Sequence, residues 1–264
     1  MARLDGKRAL VTGGSRGIGA AICRYLAAEG AHVGINYVAS ADRAEALATE
    51  INTAHGQKVA FAVQADIQQE TAIQAMVADV VERFGGIDIL INNAGYESTV
   101  SAVDLSIDEW DRAVNTNLRG AFLCAQAAAR AMIKQGTGGV IINNSSIHDA
   151  IPRMGLAHYC ASKGGLEMLM KTLALEWAEF NIRVLNVSPG AIETEMNRDE
   201  IAAFGRERFE SWIPSGRIGN VDEVAGLFAY LCSPEAAYIN GTTIYIDGAY
   251  MINVVRYDPR KGAS

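Results

Sequence analysis

The apolar positions along the chain alternate between two patterns. Short runs of four to six residues rich in Val, Ile and Leu are separated by longer segments in which apolar residues recur every three or four positions. The first pattern predicts buried β-strands and the second predicts amphipathic helices. Strands are predicted at 9–12, 32–36, 59–63, 87–92, 140–144, 184–187 and 243–246, and helices at 18–29, 42–55, 70–84, 110–134 and 159–180.

This order of elements predicts an α/β fold. Apolar strands separated by helices form parallel sheets that are covered on both faces and connected by right-handed crossovers. We therefore expect a single-domain, Rossmann-like, doubly wound parallel sheet of about seven strands over residues 1–264, with helices on both faces. Residues 191–219 interrupt the alternation of strand and helix patterns because their polarity is mixed, and we expect a partly helical lid there.

Composition narrows the function classes. The 264 residues are 50% hydrophobic and 20% charged, which is typical of a globular chain, and the net charge of −7 comes without a basic stripe, so no nucleic-acid partner is expected. No apolar run reaches the ~18 residues of a spanning helix, and no signal-peptide core follows the polar start, so no membrane partner is expected. Four scattered cysteines and four histidines predict no metal site and a reducing, cytoplasmic location.

A glycine-rich turn stands between the first predicted strand and the first predicted helix. It reads Thr12-Gly13-Gly14-Ser15-Arg16-Gly17-Ile18-Gly19. Glycines let a backbone approach a pyrophosphate, and the free N–H groups of a helix N-terminus favour its negative charge. A plain glycine turn is the alternative, but the flanking strand and helix stand where a dinucleotide site needs them.

The spacing Thr-Gly-x-x-x-Gly-x-Gly resembles the short-chain dehydrogenase/reductase family, and further motifs follow in that family's order over nearly the whole chain. Asp66 follows the third strand, Asn92-Asn93-Ala94-Gly95 ends the fourth, and Pro189-Gly190 follows the sixth. The resemblance implies a nicotinamide dinucleotide cofactor and a homotetramer formed through helices 110–134 and 159–180. The cofactor-binding residues that it implies are Gly13, Ser15, Arg16, Gly17, Ile18, Gly19, Asn36, Asp66, Ile67, Asn93, Ala94, Gly95, Tyr159, Lys163, Pro189, Gly190, Ile192 and Thr194.

The choice of cofactor depends on the end of the second strand. A carboxylate there would bind the ribose hydroxyls of NAD and repel the 2′-phosphate of NADP, but the strand ends Asn36-Tyr37-Val38. Arg16 supplies a cation that could pair with the phosphate, although it could also be a solvated loop charge. No second basic residue stands at 38 or 39, so we expect NADP to be preferred and NAD to be used as well.

Tyr159 and Lys163 stand four residues apart at the start of a predicted helix, which places them on one face. A tyrosine is a poor base at neutral pH unless a nearby cation favours the phenolate, and Lys163 could supply that charge. Ser146 stands thirteen residues before Tyr159, as in the family, and could hydrogen-bond the substrate oxygen. Asn117 resembles the family's fourth catalytic residue and implies a water-linked proton relay, although a mid-helix asparagine could simply be exposed.

The segments 145–152 and 158–165, with Tyr96-Glu97 after Gly95, are similar to bacterial glucose 1-dehydrogenases. This similarity implies an aldose substrate whose C1 hydroxyl is oxidised to a lactone. Each buried hydroxyl needs a polar partner, because leaving one unpaired costs about 1–3 kcal/mol. The candidate substrate contacts are Glu97, Ser146, His148, Asp149, Tyr159 and Asn197.

Two other functions remain open. A 3-oxoacyl thioester reductase shares the Ser15-Arg16-Gly17 type of loop and would need cations near the lid, for which the candidates are Arg198, Arg206, Arg208 and Arg217. A non-catalytic NADP sensor would be expected to lack part of the catalytic set. All four residues of that set are present, so catalysis is favoured over sensing.

Overall fold

The computed structural model describes residues 2–195 and 197–253, with the backbone alone at 199 and 200. The strands in this part of the chain are β1 Arg8–Val11, β2 His32–Tyr37, β3 Ala60–Gln64, β4 Ile89–Asn92, β5 Gly139–Asn144, β6 Ile182–Pro189 and β7 Thr243–Ile246. The helices are α1 Gly17–Ala28, α2 Ala41–His55, α3 Glu70–Phe84, α4 Ile107–Val114, α5 Ala121–Gln135, α6 Ala157–Glu176, α7 Arg198–Phe204, α8 Arg206–Glu210 and α9 Val221–Cys232.

The seven described strands form one parallel sheet in the order β3-β2-β1-β4-β5-β6-β7. Strands β2 and β3 lie on one side of β1, and β4 pairs with β1 on its other side. A reversal of this kind opens a crevice at the carboxyl ends of β1 and β4, which is where doubly wound sheets bind ligands. The predicted fold class is confirmed.

Alternate residues of each central strand enter opposite hydrophobic layers, because successive side chains of a strand point to opposite faces. Ala9 and Val11 of β1 pack in one layer with α1, α2 and α9, while Leu10 packs in the other with α3, α5 and α6. Both layers are buried, which explains why the strands have continuous apolar sequences. The two layers hold the sheet rigid beneath its carboxyl edge.

Two predicted helices differ from the observed ones. The helix predicted at 110–134 begins at Ile107, where Ser106 caps Glu109 N, and its middle turn Asn115–Gly120 is a π-helix. The helix predicted at 159–180 begins at Ala157 and ends at Glu176, followed by a short 3-10 turn at Ala178–Phe180. Helix α9, whose N-terminus carries a capping box of Asn220 and Glu223, was not among the sequence predictions.

The segment expected to form a lid contains α7 and α8, so its partly helical character is confirmed within the described residues. Ile201, Ile213 and Ile218 form a small hydrophobic cluster of their own beneath it. Residues 254–264, at the C-terminal end of the sequence, lie outside the described residues. In the part of the chain that is described, no helix is both long and apolar enough to cross a membrane.

Candidate active site

The glycine-rich loop packs directly against the end of β4. Gly13 has a φ of +60°, and a Cβ there would lie 2.9 Å from the Ala94 Cα. Gly17 has a φ of +54°, and a Cβ at Gly19 would collide with Asn93. A side chain at any of these positions would strain the backbone or push the loop off the sheet, so the glycines serve the shape of the loop.

Asn93 and Thr12 fasten the loop to β4. The Asn93 amide donates to the carbonyl oxygens of Thr12 (2.9 Å) and Gly13 (3.0 Å), and the Thr12 hydroxyl accepts from the N–H groups of Asn93 and Ala94. The Asn93 Oδ1 in turn accepts from Asn144 at the end of β5. The structure therefore places the Asn93 side chain on the loop itself, where it fixes the cradle.

Asn36, expected at the cofactor, is turned inward and only 1% exposed. Its Oδ1 accepts from Gly13 N (3.1 Å), and its amide donates to the Ala65 carbonyl (3.0 Å). The side chain braces the glycine loop against β3, and its hydrogen-bonding groups are engaged there. The sequence could not show this, because burial at that position depends on the packing of three strands.

The start of α1 fits a dinucleotide pyrophosphate. Among the described residues, no side chain caps this N-terminus, and no acidic residue stands in its first turn. The first N–H groups of a helix have no partner within it, and together with the helix dipole they attract an anion. Thr194 lies opposite, its methyl group 3.8 Å from where a Gly17 Cβ would be. The glycine loop and the start of α1 thus form one wall of a site suited to phosphate, and Thr194 forms the opposite wall.

A groove of about 450 Å³ lies beside this site, between α1, α2 and the start of the lid. Four arginines line it, and three of them pair with carboxylates: Arg24 with Glu50, Arg43 with Glu195, and Arg198 with Glu193. Within the described residues, Arg16 is the one arginine of the groove that has no such partner. Its charge is available to a bound anion.

The remaining predicted cofactor residues line the same edge of the sheet. Asp66 is half-buried after β3, where its Oδ1 accepts from Gln68 N (2.9 Å), and Ile67 is buried beside it. Pro189 ends β6, and Gly190 passes so close to Asp247 that a Cβ would lie 2.8 Å from the Asp247 Cα. The parallel sheet brings these positions together, because each follows the carboxyl end of a strand.

Asn197, expected to contact substrate, lies at the start of the lid and stabilises its first turn, and its contact with substrate stays a prediction. Its Oδ1 accepts from Thr194 N (2.8 Å), and its amide donates to the Ile192 carbonyl (2.8 Å). Ile192 is buried and pairs with Gly219 in an isolated β-bridge. The structure places Asn197 as a support for the 192–194 turn, with its polar atoms engaged by the backbone.

Ser146, Tyr159 and Lys163 meet where β5 ends and α6 begins. The Lys163 ammonium donates to the Asn144 carbonyl (2.9 Å) and lies 5.5 Å from the centre of the Tyr159 ring. The Ser146 hydroxyl accepts from His148 N (3.2 Å), which starts the 3-10 turn Ile147–Asp149. The four-residue spacing on α6 thus places a phenol and a cation side by side beneath a hydroxyl.

Burial and the Glu97 carboxylate both raise the pKa of Tyr159, and the hydrogen bond with Ser146 opposes them. In the free protein, desolvation of the phenolate has the larger effect on this pKa, and the lowering expected from the Lys163 charge stays a prediction. Tyr159 is the neutral phenol at neutral pH. This is the form that can donate a proton to a carbonyl oxygen.

Burial also lowers the pKa of Lys163 to about 8, while Asp149 and Glu97 act in the opposite direction. The side chain is 5% exposed, so its charge is desolvated as well as close to Tyr159. A lysine with this pKa is cationic at neutral pH and loses its charge as the pH rises through about 8. The ammonium is thus present beside the phenol only below that range.

Asn117 lies in the π-helical turn between α4 and α5 and is 1% exposed. Its Oδ1 accepts from Tyr96 N (2.7 Å), and its amide donates to the Tyr96 carbonyl (2.8 Å) and the Ser162 hydroxyl (3.1 Å). The widened turn lets this side chain bridge the loop after β4 to α6. The reading as an exposed mid-helix residue is wrong, because all of its hydrogen-bonding groups face inward.

The loop that carries Glu97 is held on both sides. The Tyr96 hydroxyl donates to Glu109, and its ring lies under the Arg112 guanidinium at 3.9 Å. Ser98 hydrogen-bonds the fully buried His158 (3.0 Å). Glu97 itself is exposed, and its charge reaches Tyr159 and Lys163. The loop thus carries an exposed carboxylate whose charge acts on the candidate catalytic residues Tyr159 and Lys163.

His148 and Asp149 have different surroundings. The His148 ring lies edge-on to Tyr159, with the centroids 6.2 Å apart, and its Nδ1 lies 3.0 Å from the Ile151 carbonyl. The Asp149 carboxylate accepts from Ser145, Ser188 and Tyr245. The structure therefore places His148 beside the phenol and the Asp149 carboxylate among three hydroxyl groups, and the substrate contacts expected of both stay predictions.

Sequence reasoning missed several residues that shape the site. Tyr96, His158 and Ser162 position the Glu97 loop and α6, and Ser188 and Tyr245 hold Asp149. The cation–π pair of Tyr96 and Arg112 joins residues far apart in sequence, so no local pattern signals it. In the described ranges, no group of three or more His, Cys, Asp or Glu could hold a metal ion.

Comparisons with known proteins bear on this geometry. A family model described as enoyl-(acyl carrier protein) reductase matches residues 13–251. Similar curated proteins are the 3β-hydroxysteroid dehydrogenase 1 of Eggerthella lenta (41% identical; 93% of this chain, 94% of that protein) and the glucose 1-dehydrogenase 2 of Bacillus subtilis (39%; 93% and 95%). The 3-oxoacyl-[acyl-carrier-protein] reductase FabG of Staphylococcus aureus is 40% identical, with 92% of this chain and 97% of that protein covered.

A solved structure of a gluconate 5-dehydrogenase from Burkholderia cenocepacia, in complex with NADP and tartrate, is also similar. It superposes with a TM-score of 0.89 at 37% identity, covering 96% of this chain and 98% of that one. The names of these proteins specify chemically different substrates, although their sequence identities to this chain are nearly equal. The scaffold is therefore shared, and the substrate depends on the residues that line the cleft.

Proposed function

The chain belongs to the short-chain dehydrogenase/reductase family of oxidoreductases, and we propose that it transfers a hydride between C1 of a glucose-like aldose and NAD(P), giving an aldonolactone. NADP is the proposed preferred cofactor. The single observation that carries the aldose assignment is the exposed Glu97 carboxylate, which lies on a loop braced by Asn117 and whose charge raises the pKa of Tyr159.

The proposed cofactor site consists of the glycine loop, the N-terminus of α1 and the turn at 190–194. When bound, the nicotinamide accepts or donates the hydride. Asn36 and Asn93 keep the loop in shape, and the free N–H groups of α1 receive the pyrophosphate. Arg16, which has no carboxylate partner among the described residues, supports a preference for the 2′-phosphate of NADP, as does the lack of an acid at the end of β2.

Tyr159 is the proposed proton-transfer group. In the reducing direction its phenol donates a proton to the substrate oxygen, and in the oxidising direction the phenolate removes it. The Lys163 ammonium stabilises the negative charge that develops on Tyr159, and the Ser146 hydroxyl hydrogen-bonds the substrate oxygen. Asn117 supports this set by holding Tyr96 and Ser162.

A polyhydroxylated substrate fits the chemistry of the cleft rim. A carboxylate accepts hydrogen bonds from hydroxyl groups, and two oxygens can receive more than one donor. The His148 ring adds a polar group on the other side of Tyr159. An apolar substrate would leave the Glu97 carboxylate unpaired when it displaced water, at a free-energy cost.

A 3-oxoacyl thioester is the second candidate substrate, favoured by the similarity to 3-oxoacyl-[acyl-carrier-protein] reductase. Its phosphate-bearing arm would need free cations near the lid. The four arginines there are already engaged: Arg198 and Arg206 with Glu193, Arg217 with Glu223, and Arg208 over the ring of Phe204. Engaged cations attract a phosphate less strongly, so we rank this candidate below the aldose.

A spectrophotometric screen tests the assignment. The purified protein is assayed at 340 nm with a panel of aldoses, a 3β-hydroxysteroid, gluconate and acetoacetyl thioester, each with NADP(H) and NAD(H). We expect aldose oxidation with the largest kcat/KM and a preference for NADP. Rapid reduction of the thioester with no oxidation of any aldose would replace the aldose proposal with the thioester one.

The Glu97→Ala variant tests the observation that carries the proposal. Loss of a hydroxyl partner should lower kcat/KM for the aldose by about five- to 150-fold, equivalent to about 1–3 kcal/mol, and spare a small ketone. Asp104→Ala, which removes an exposed carboxylate from the same loop region, is the matched control and should leave both substrates unaffected. Equal effects of the two variants would contradict a substrate contact.

A further inference from the structure

The Asp149 carboxylate is held at the edge of the sheet by three hydroxyl groups from different elements. Its Oδ2 accepts from Ser145, which follows β5, at 3.0 Å, and from Ser188 in β6. Its Oδ1 accepts from the Tyr245 hydroxyl in β7 at 3.1 Å. An ionised carboxylate is an acceptor only, so three hydroxyl donors suit its charged form and fix its orientation.

The backbone places this carboxylate next to the catalytic segment of α6. Asp149 ends the 3-10 turn that begins just after Ser146, and α6 passes so close that a Cβ on Gly164 would lie 3.6 Å from the Asp149 carbonyl. Lys163, the neighbour of Gly164, is buried and donates to the Asn144 carbonyl. The turn and the helix thus bring a half-buried carboxylate close to the segment that carries the buried cation.

We propose that Asp149 is a positioning residue that keeps a fixed negative charge behind Lys163 and so sustains the ammonium form on which proton transfer by Tyr159 depends. The proposal rests on the proposed function only in assigning Lys163 and Tyr159 to the reaction. It gives a reason for three hydroxyl groups from different elements to converge on one carboxylate. Ser145, Ser188 and Tyr245 orient the charge, and Asp149 itself supplies it.

Other titratable groups surround Lys163 and Asp149. Lys163 faces Glu97 from the loop after β4 and Tyr159 from its own helix, and both Glu97 and Asp149 oppose the effect of burial on the Lys163 pKa. Asp149 faces Glu167 of α6 and Tyr245 of β7, and burial is the main cause of its own raised pKa. Beside it on the turn is His148, whose ring lies against Tyr159.

The sign of the effect follows from electrostatics. A nearby negative charge stabilises an ammonium, so its removal lowers the pKa of the lysine. Lys163 has a pKa of about 8, and Asp149→Asn should lower it by about one unit, a tenfold loss of proton affinity. At neutral pH that change would convert a mostly charged lysine into a half-neutral one.

An NMR titration of the free protein measures this directly. The protein is labelled with [ε-¹³C]lysine, which gives a small set of signals because the chain contains six lysines. The Lys163 signal is assigned by its loss in Lys163→Arg. We expect the wild-type signal to titrate near pH 8 and the Asp149→Asn signal near pH 7, without any substrate or cofactor present.

Matched variants separate the charge from the hydrogen-bond scaffold. Tyr245→Phe and Ser188→Ala each remove a donor but keep the carboxylate, Asp149→Glu keeps the charge, and Glu176→Gln removes an exposed carboxylate from the same helix. These four should leave the Lys163 pKa within a few tenths of a unit. The proposal fails if Asp149→Asn does not move the titration, or if Tyr245→Phe moves it as far.

An activity measurement links the charge to the reaction. With any substrate that the screen identifies, the alkaline fall in kcat/KM for carbonyl reduction should move to lower pH by the same amount in Asp149→Asn. If the NMR titration shifts and no substrate is found, the electrostatic proposal stands and the proposed function fails. If substrates are found and neither profile shifts, the proposed function stands and the Asp149 proposal fails.

Discussion

At the residue scale, proton transfer is assigned to one phenol. Tyr159→Phe keeps the ring against His148 and removes only the hydroxyl. We expect kcat to fall by at least ~10²-fold, because loss of a general acid–base group removes that much rate, with the Kd for NADP unchanged within threefold. Steady-state kinetics and cofactor fluorescence titration measure the two effects.

A control for packing is Tyr25→Phe, which makes the same change in a tyrosine of α1 on the other face of the sheet. That variant should retain parental turnover. Turnover of Tyr159→Phe within a few fold of the parent would remove Tyr159 from the reaction.

Cofactor selectivity is also expected at the scale of one side chain. Arg16 is the groove arginine without a carboxylate partner in the described part of the chain. Arg16→Ala should weaken NADP binding by about ten- to a hundredfold, since a charge-assisted hydrogen bond contributes about 1.5–3 kcal/mol, and leave NAD binding nearly unchanged. Isothermal titration with each cofactor measures this.

Arg24→Ala is the matched control, because Arg24 lines the same groove but is paired with Glu50 at 2.7 Å. It should change neither affinity by more than threefold. An equal loss of affinity for NADP and NAD in Arg16→Ala would show that Arg16 does not recognise the 2′-phosphate.

At the scale of elements, the π-helical turn between α4 and α5 determines how the Glu97 loop is held. Asn117→Ala removes hydrogen bonds to both backbone groups of Tyr96 and to Ser162. Each buried group left unpaired costs about 1–3 kcal/mol, so the loop should loosen. We expect the substrate KM to rise about tenfold or more while the Kd for NADP stays constant.

The neighbouring Asn115→Ala provides the comparison. Asn115 lies in the same turn, and no side-chain hydrogen bond joins it to the described residues. Its removal should leave KM unaltered. If both variants raised KM equally, the cause would be the helical turn itself and not the bridge made by Asn117.

At the scale of the whole molecule, one ion pair links β1 to β4 at the edge opposite the site. Asp88 is 8% exposed and accepts from the N–H, Nε and Nη2 of Arg8, and these bonds lower its pKa in spite of burial. Asp88→Asn should lower the free energy of unfolding by about 2–3 kcal/mol at pH 7, as expected for hydrogen bonds to a charged group. Urea denaturation followed by circular dichroism measures it.

The stabilisation contributed by Asp88 should depend on pH in a defined direction. A carboxyl whose pKa is depressed by folding stabilises the protein above its unfolded value, about 4, and the contribution is lost as the pH falls through that value towards the lower folded one. The difference between parent and Asp88→Asn should therefore shrink below about pH 4. Asp79→Asn, which breaks the exposed pair with Arg83, should cost under ~1 kcal/mol; a difference that stays constant with pH would contradict the ionic origin.

Assembly is also a property of the whole molecule. Met168 (61% exposed) and Leu175 (82%) lie two turns apart on one face of α6, which supports the proposed homotetramer. Met168→Glu with Leu175→Glu should dissociate it, as measured by light scattering. Met154→Glu, at a position 95% exposed in the loop before α6, should not. A monomeric parent would exclude the tetramer.

The fold class and the edge of the sheet that carries the candidate site could be predicted from the residues alone. Strands buried on both faces need continuous apolar runs, so their number and spacing were visible in the residues, as were the glycines of the loop and the Tyr159–Lys163 spacing on one helix. These features depend on neighbours close in sequence. The helix ends were predicted less well, because Ile107 and Ala157 extend helices whose periodicity begins later.

The hydrogen-bond partners of the polar residues could be read from the folded chain alone. Asn36, Asp149 and Asn197 have side chains suited to ligands, yet their partners are Gly13, Tyr245 and Thr194, each brought close by strand pairing or by a turn of the lid. The burial that lowers the pKa of Lys163 likewise comes from elements distant in the chain. Hydrogen bonding and desolvation depend on the whole packed surroundings of a group, and a linear pattern reports only its nearest neighbours.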